Sequence, residues 1–157
     1  MAQDFTSRLP AAAVQALRAA GWAPDRSVDV RGWHEILGAE GFVLHPLARQ
    51  VLENFGGLRV TPPVAVGAFR NSDILFEPEL AGSGMFDIAV ELKKMFGQDF
   101  YPIAEWITNS TVFLGSAGTV VDDHDVEVLH VADSFADALR VMLLADREPP
   151  VLHTYSH

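Results

Sequence analysis

Apolar residues recur at spacings of three and four through the first third of the chain, as they do on one face of an α-helix. The clearest case is HPLARQVLENFGG, where Leu47, Ala48, Val51, Leu52 and Phe55 form a wide apolar stripe. Weaker stripes run through SRLPAAAVQALRAAG and DVRGWHEILGAEG. The pattern predicts three helices before residue 57.

The spacing changes after Leu58. The segments LRVT and DILFEP have the alternation of short strands, and Pro62 and Pro63 separate them. A fourth helix is predicted in GMFDIAVELKKMFG, where Ser83 is placed to cap the first turn and Gly97 to end the helix.

The rest of the chain is rich in β-branched and aromatic residues. The segments FYPIAEW, STVFLG, GTVVDD and VEVLHV predict a meander of sequential antiparallel strands. A fifth helix is predicted in SFADALRVML, and residues 146–157, which have no period, are predicted to form a poorly packed tail. Helices and strands do not alternate regularly, so we predict an α+β fold with one domain over residues 1–145.

The glycine pair after Phe55 has two interpretations, a ligand-binding loop or a hinge between a helix and a strand. Phe55 completes the apolar stripe, so Gly56 is placed as the helix C-cap. Gly57 then supplies the backbone freedom to turn directly into Leu58. The hinge is the favoured interpretation.

Composition excludes several classes of protein. A chain of 157 residues with 49% hydrophobic and 20% charged residues fits one folded domain. The absence of cysteine excludes disulfides, thiolate metal sites and a cysteine nucleophile. No apolar run approaches the ~18 residues of a membrane span, and the N-terminus does not resemble a signal peptide. We therefore expect a cytoplasmic protein without a membrane partner.

The net charge of −10 is unevenly distributed. Residues 1–72 carry seven Lys or Arg against six Asp or Glu, whereas residues 73–157 carry four against fifteen. An acidic field disfavours binding to nucleic acid or anionic membranes and favours basic partners. The alternative is that the acidity only maintains solubility.

Several catalytic motifs fail on inspection. The segment HEILG lacks the second histidine of a zinc-protease helix, because Gly38 stands there. In GSGMFD, Asp87 stands where a dinucleotide-binding motif requires glycine. The segment VDDHDVE matches no known metal loop, and an acidic surface turn is its favoured interpretation over a metal site. The residues predict no cofactor and no complete catalytic site.

Acidic side chains near predicted turns are the remaining candidates for partner contacts. Trp106 stands beside Glu105 at the end of a predicted strand, and a Trp next to an acidic group is a plausible interface anchor. The candidate partner-binding residues, chosen for charge and turn position, are Glu77, Glu79, Glu105, Trp106, Asp122, Asp123, Asp125 and Glu127.

The ordered series from Leu17 to Val60 resembles the N-terminal signature of the SUKH superfamily of bacterial immunity proteins, in particular its third subfamily. The resemblance covers the G-W-x-P-x-R segment that begins at Gly21, the helix with Trp33, the His-Pro helix start and the F-G-G-L turn. Further on, FYPIAEW, VFLGSAGTVV and VADSFADALRVML resemble the family's later strands, hairpin and closing helix.

This resemblance implies a curved antiparallel sheet flanked by helices. It also implies an immunity protein without a cofactor, which binds a cognate toxin of a polymorphic toxin system, often a nuclease or deaminase. Two alternatives stay open: a regulatory or scaffolding module outside toxin systems, and an enzyme that uses the DDHD segment with a metal. The sequence does not identify the toxin or indicate the oligomeric state.

Overall fold

The computed structural model describes residues 4–63, 72–106, 110–124, 127–145 and 148–154. Six helices lie in the described residues: α1 Ala11–Ala19, α2 Arg31–Glu40, α3 Pro46–Phe55, α4 Pro78–Gly82, α5 Phe86–Phe96 and α6 Phe135–Leu144. Their order matches the predicted helices, with α4 in addition.

One seven-stranded sheet contains every described strand. The strands are β1 Arg59–Val60, β2 Ile74–Leu75, β3 Phe100–Trp106, β4 Ser110–Gly115, β5 Val120–His124, β6 Glu127–Ala132 and β7 Val151–Thr154. They follow chain order across the sheet, and each pairs with the next in antiparallel orientation. Register shifts interrupt the pairing of β3, β5 and β6, and such bulges bend strands. The predicted α+β fold with a curved antiparallel sheet is confirmed.

An aromatic cluster joins the helices to the sheet. Phe55 on α3 is completely buried, and its ring centroid lies 5.4 Å from that of Phe135 on α6 and 5.6 Å from that of Phe76 after β2. Phe5 and Trp22 approach the same ring at 6.2 Å each. The stripe predicted on α3 is therefore the centre of the core.

His45 fastens the start of α3 to the sheet. The backbone N–H of Ala48 donates to His45 Nδ1 at 3.2 Å, so the proton is on Nε2, which lies 2.8 Å from the carbonyl oxygen of Leu114 on β4. The His45 side chain is buried, and this burial lowers its pKa below the ordinary value near 6.5. Pro46 follows at the first helical position, where its missing N–H costs nothing.

The glycine pair forms the predicted hinge. Gly56 is the C-cap of α3, and its N–H donates to Leu52 O at 2.8 Å. Gly57 adopts a φ of 84° and donates to Phe76 O at 2.7 Å, which places the chain beside the strand it enters. Glycine is favoured there because a Cβ is disfavoured in the left-handed region.

Helix α4 was not predicted. DILFEP was expected to be one strand, but only Ile74–Leu75 pairs, and a five-residue helix begins at Pro78. Ser83, expected to cap the next helix, instead follows the end of α4, and α5 begins at Phe86 without a side-chain cap. The available signal was Pro78, because proline is favoured at the first position of a helix.

The tail also differs from the prediction. Within residues 146–157, expected to be poorly packed, Val151–Thr154 forms β7 and pairs with β6. The side chains of Val151 and Leu152 nevertheless remain 50% and 41% exposed. Hydrophobic periodicity could not predict this backbone pairing. An edge strand whose side chains are exposed on both faces need not alternate apolar and polar residues.

Candidate functional site

The G-W-x-P-x-R segment folds back onto the end of α3. Trp22 Nε1 donates to Asn54 Oδ1 at 2.9 Å, and Asn54 Nδ2 donates to Arg26 O at 3.0 Å. The Arg26 guanidinium donates to two carbonyl oxygens, Asn54 O at 3.0 Å and Gly56 O at 2.8 Å. We call these four residues, Trp22, Arg26, Asn54 and Gly56, the signature cluster. It satisfies carbonyls at a helix end that would otherwise lack intrahelical partners.

A cavity of about 550 Å³ opens beside the signature cluster. Phe5 and Trp22 are its buried apolar wall, and Asp4, Asp25 and Glu53 line it with carboxylates. Arg26 also lines the cavity, but its guanidinium is already engaged with backbone carbonyls. The cavity is thus acidic, and the Trp22, Arg26 and Asn54 side chains on its wall are engaged in hydrogen bonds of the fold.

Three of the candidate contact residues are buried. Trp106 is 2% exposed, Asp122 is 0% exposed and Asp123 is 8% exposed. The expected acidic surface turn is therefore wrong for the two aspartates, which lie within strand β5. Trp106, considered as an interface anchor, is also buried, and its indole packs in the core at the end of β3. Asp125 lies outside the described residues.

The structure brings three of the other candidates together around α4. Glu77 immediately precedes the helix and Glu79 is in its first turn. Glu105 on β3 lies opposite Thr111 on β4, whose hydroxyl donates to Ala81 O of the helix at 2.7 Å. Directly opposite residues of antiparallel strands share a face of the sheet. Glu105 therefore stands on the face that α4 covers.

Glu127 belongs to a different part of the surface. It lies on β6, opposite His124 and Thr154. Three strand spacings of ~4.8 Å separate β3 from β6, so Glu127 is roughly 14 Å from Glu105 or farther. The eight candidates thus do not form one site.

Exposed apolar side chains are the feature that sequence reasoning missed. Leu80 on α4 is 61% exposed and Val43 is 58% exposed, the two largest values for large hydrophobic residues in the described chain. Val43 and Val90 border a groove of about 210 Å³ against α5. Leu80 directly follows Glu79 on α4, and we call Glu77, Glu79, Leu80 and Glu105 the α4 surface.

The described residues include several histidines and carboxylates and one buried tyrosine. No three histidine or acidic side chains among them are placed to hold a metal ion, and this includes the described part of the DDHD segment. Burial raises the pKa of Tyr101 to about 12, which keeps its phenol protonated. Among the helices described, none has both the length and the apolar character to span a bilayer.

Comparison with protein families gives one match. The model of a family described as SUKH-3 immunity protein matches residues 9–145. Searches of curated proteins and of solved structures found no match. The matched range contains both the signature cluster and the α4 surface.

Proposed function

The chain belongs to the SUKH-3 immunity protein family, and we propose that it protects the cell that makes it by binding a cognate bacterial toxin domain in a fixed stoichiometry. The observation that carries the proposal is the family match over residues 9–145, which includes almost every described element of the fold. Inhibition of this kind needs a rigid complementary surface and no catalytic group. We place the encounter in the cytoplasm, where an arriving toxin would act.

The charge of the chain supports a basic partner. The net charge is −10, and the acidic excess lies in residues 73–157. Toxins that act on nucleic acid carry basic surfaces for the phosphates, and a protein with an acidic surface can occupy such a site. We propose that Glu77, Glu79 and Glu105 contribute to this contact, with Glu127 as a separate and weaker candidate.

Growth protection tests the proposal. The open reading frame beside this gene is expressed from an inducible promoter in a bacterial host, with and without the present chain. We expect the neighbouring product to arrest growth and the chain to restore it. The purified proteins should then elute together in size-exclusion chromatography.

The alternative regulatory or scaffolding role makes a different prediction. A neighbouring product that does not impair growth, or a toxin that stays active and unbound in the presence of the folded chain, would contradict the immunity proposal. A double alanine variant of Val151 and Leu152, which changes only exposed side chains, serves as a control for nonspecific effects of sequence change.

A further inference from the structure

The outward side of α4 combines an exposed aliphatic side chain with a rigid support. Leu80 is 61% exposed, whereas the adjacent Ala81 is 5% exposed and Pro78 is buried. One side of the helix therefore packs on the sheet, and Leu80 lies on the solvent-exposed side. A single exposed leucine is ordinary, so what matters is what surrounds it.

Contacts on the inner side fix the helix in place. The Thr111 hydroxyl, itself buried, donates to Ala81 O, and Gly82 packs so closely on the Pro102 ring that a Cβ there would collide with it. After the helix, the Glu40 carboxylate accepts a hydrogen bond from the N–H of Gly84 at 2.8 Å. A five-residue helix held at these points presents Leu80 in one position, which lowers the entropy cost of docking a partner.

The charged residues of the α4 surface are all acidic: Glu77 and Glu79 at the start of the helix, and Glu105 on the strand that the helix packs against. Glu77, Glu79 and Glu105 form no ion pair with any residue that the structure describes. Arg59 on β1, the strand that pairs with β2, is engaged with Asp73 at 3.0 Å. An apolar centre with an acidic margin is complementary to an apolar side chain flanked by Lys or Arg.

We infer that the α4 surface is the docking site for the toxin, with Leu80 as its apolar anchor. The occupant is a segment of the toxin that inserts an aliphatic or aromatic side chain against Leu80 and places basic side chains opposite Glu77, Glu79 and Glu105. This inference rests on the proposed immunity function and adds to it the surface and the chemistry of the partner segment. The buried Trp106, Asp122 and Asp123 have no direct part in it.

A matched pair of leucines tests the anchor. Leu80→Arg and Leu152→Arg make the same change at two exposed positions, on α4 and on the edge strand β7. The neighbouring gene's toxin domain, purified as an inactive variant, is titrated against each protein by calorimetry. Because Leu80→Arg removes the apolar contact and places a cation opposite the basic side chains of the partner, we expect it to weaken binding at least about thirtyfold. Leu152→Arg should bind as the wild type does.

A matched pair of glutamates tests the acidic margin. Glu79→Lys should slow association and flatten its dependence on salt, because charges at an interface margin act mainly through steering. Glu148→Lys reverses an exposed charge near β7 and should leave association unchanged.

The outcomes separate the two proposals. If the wild type does not bind the toxin domain, the proposed function fails and takes this inference with it. If the wild type binds and Leu80→Arg binds equally well, the function stands and the α4 surface is not the docking site. A loss confined to Leu152→Arg would assign docking to the β7 edge and overturn the inference. Circular dichroism of each variant establishes that it is folded.

Discussion

The signature cluster and the α4 surface use their side chains in opposite ways. In the signature cluster, the side chains of Trp22, Arg26 and Asn54 form hydrogen bonds with one another's residues and with the end of α3. On the α4 surface, Leu80 faces water and the glutamates make no ion pair within the described residues. The first region carries Trp22, Arg26 and Gly56 of the segments that resemble the family, whereas Glu77, Glu79 and Leu80 lie outside those segments and only Glu105 lies within one.

The difference teaches what a family signature reports. A residue that satisfies polar groups at a helix end is needed by the fold itself, whereas a residue on an outward surface can change with little effect on stability. The signature therefore indicates the fold and the general role. If the proposed immunity function holds, the choice of toxin depends on outward surfaces such as that of α4.

The largest effect is expected at Trp22. Trp22→Ala removes a 6% exposed indole that stacks on Phe55 at an angle of 10° and bonds Asn54. Loss of a buried Trp costs about 3–5 kcal/mol of unfolding free energy. Urea denaturation measures this loss of unfolding free energy. Trp22→Phe keeps an aromatic ring against Phe55 and should lose less stability than Trp22→Ala. A Trp22→Ala protein within about 1 kcal/mol of the wild type would contradict a structural role for the cluster.

The glycine pair should respond unequally to alanine. At Gly56 a Cβ would collide with Leu52 O and lie 2.6 Å from the Trp33 ring, so overpacking should cost about 1–3 kcal/mol. At Gly57 the nearest atom is 3.8 Å away, and the cost of about 1–2 kcal/mol comes from its φ of 84°.

Asparagine distinguishes the two causes, since it tolerates left-handed backbone better than alanine does. Gly57→Asn should recover part of the stability that Gly57→Ala loses, and Gly56→Asn should not. Equal recovery at both positions would show that space around Gly56 is not the constraint.

His45 should make stability depend on pH. Its folded-state pKa lies below the ordinary value near 6.5, so the unfolded chain binds the proton more readily. The contribution of neutral His45 to the unfolding free energy is complete above pH 6.5. It is lost as the pH falls from 6.5 toward the folded-state pKa. His45→Gln should flatten the stability profile in this range, as measured by urea denaturation at several pH values. An unchanged slope would show that other groups dominate.

The sequence predicted the regions that follow one simple period. The stripe on α3 and the meander were predicted because Phe55 and the strands of residues 100–132 obey helical or strand periodicity over many residues. Helix α4 and strand β7 were missed because each is five residues or fewer and borders prolines, and Ser83 was assigned to the wrong helix.

The candidate contacts were predicted less well, for a physical reason. Charge alone indicates exposure, but Asp122 and Asp123 lie within a buried strand, and both take part in interactions there. Leu80 was overlooked because an apolar residue is expected inside, and only the packing of α4 shows which side faces water. Glu77 and Glu105 are far apart in sequence, and their proximity depends on the pairing of β2 with β3.

The smallest effect on stability is expected at Leu80. The side chain is 61% exposed, so Leu80→Arg should change the unfolding free energy by no more than about 0.5 kcal/mol. The same variant should lose toxin binding, whereas Trp22→Phe should lose stability and keep binding at temperatures where it is folded. Urea denaturation measures the stability of both variants, and calorimetric titration measures their affinity for the toxin domain. If Leu80→Arg unfolds as readily as Trp22→Ala, the α4 surface is part of the fold's own packing, and the division between the two regions does not hold.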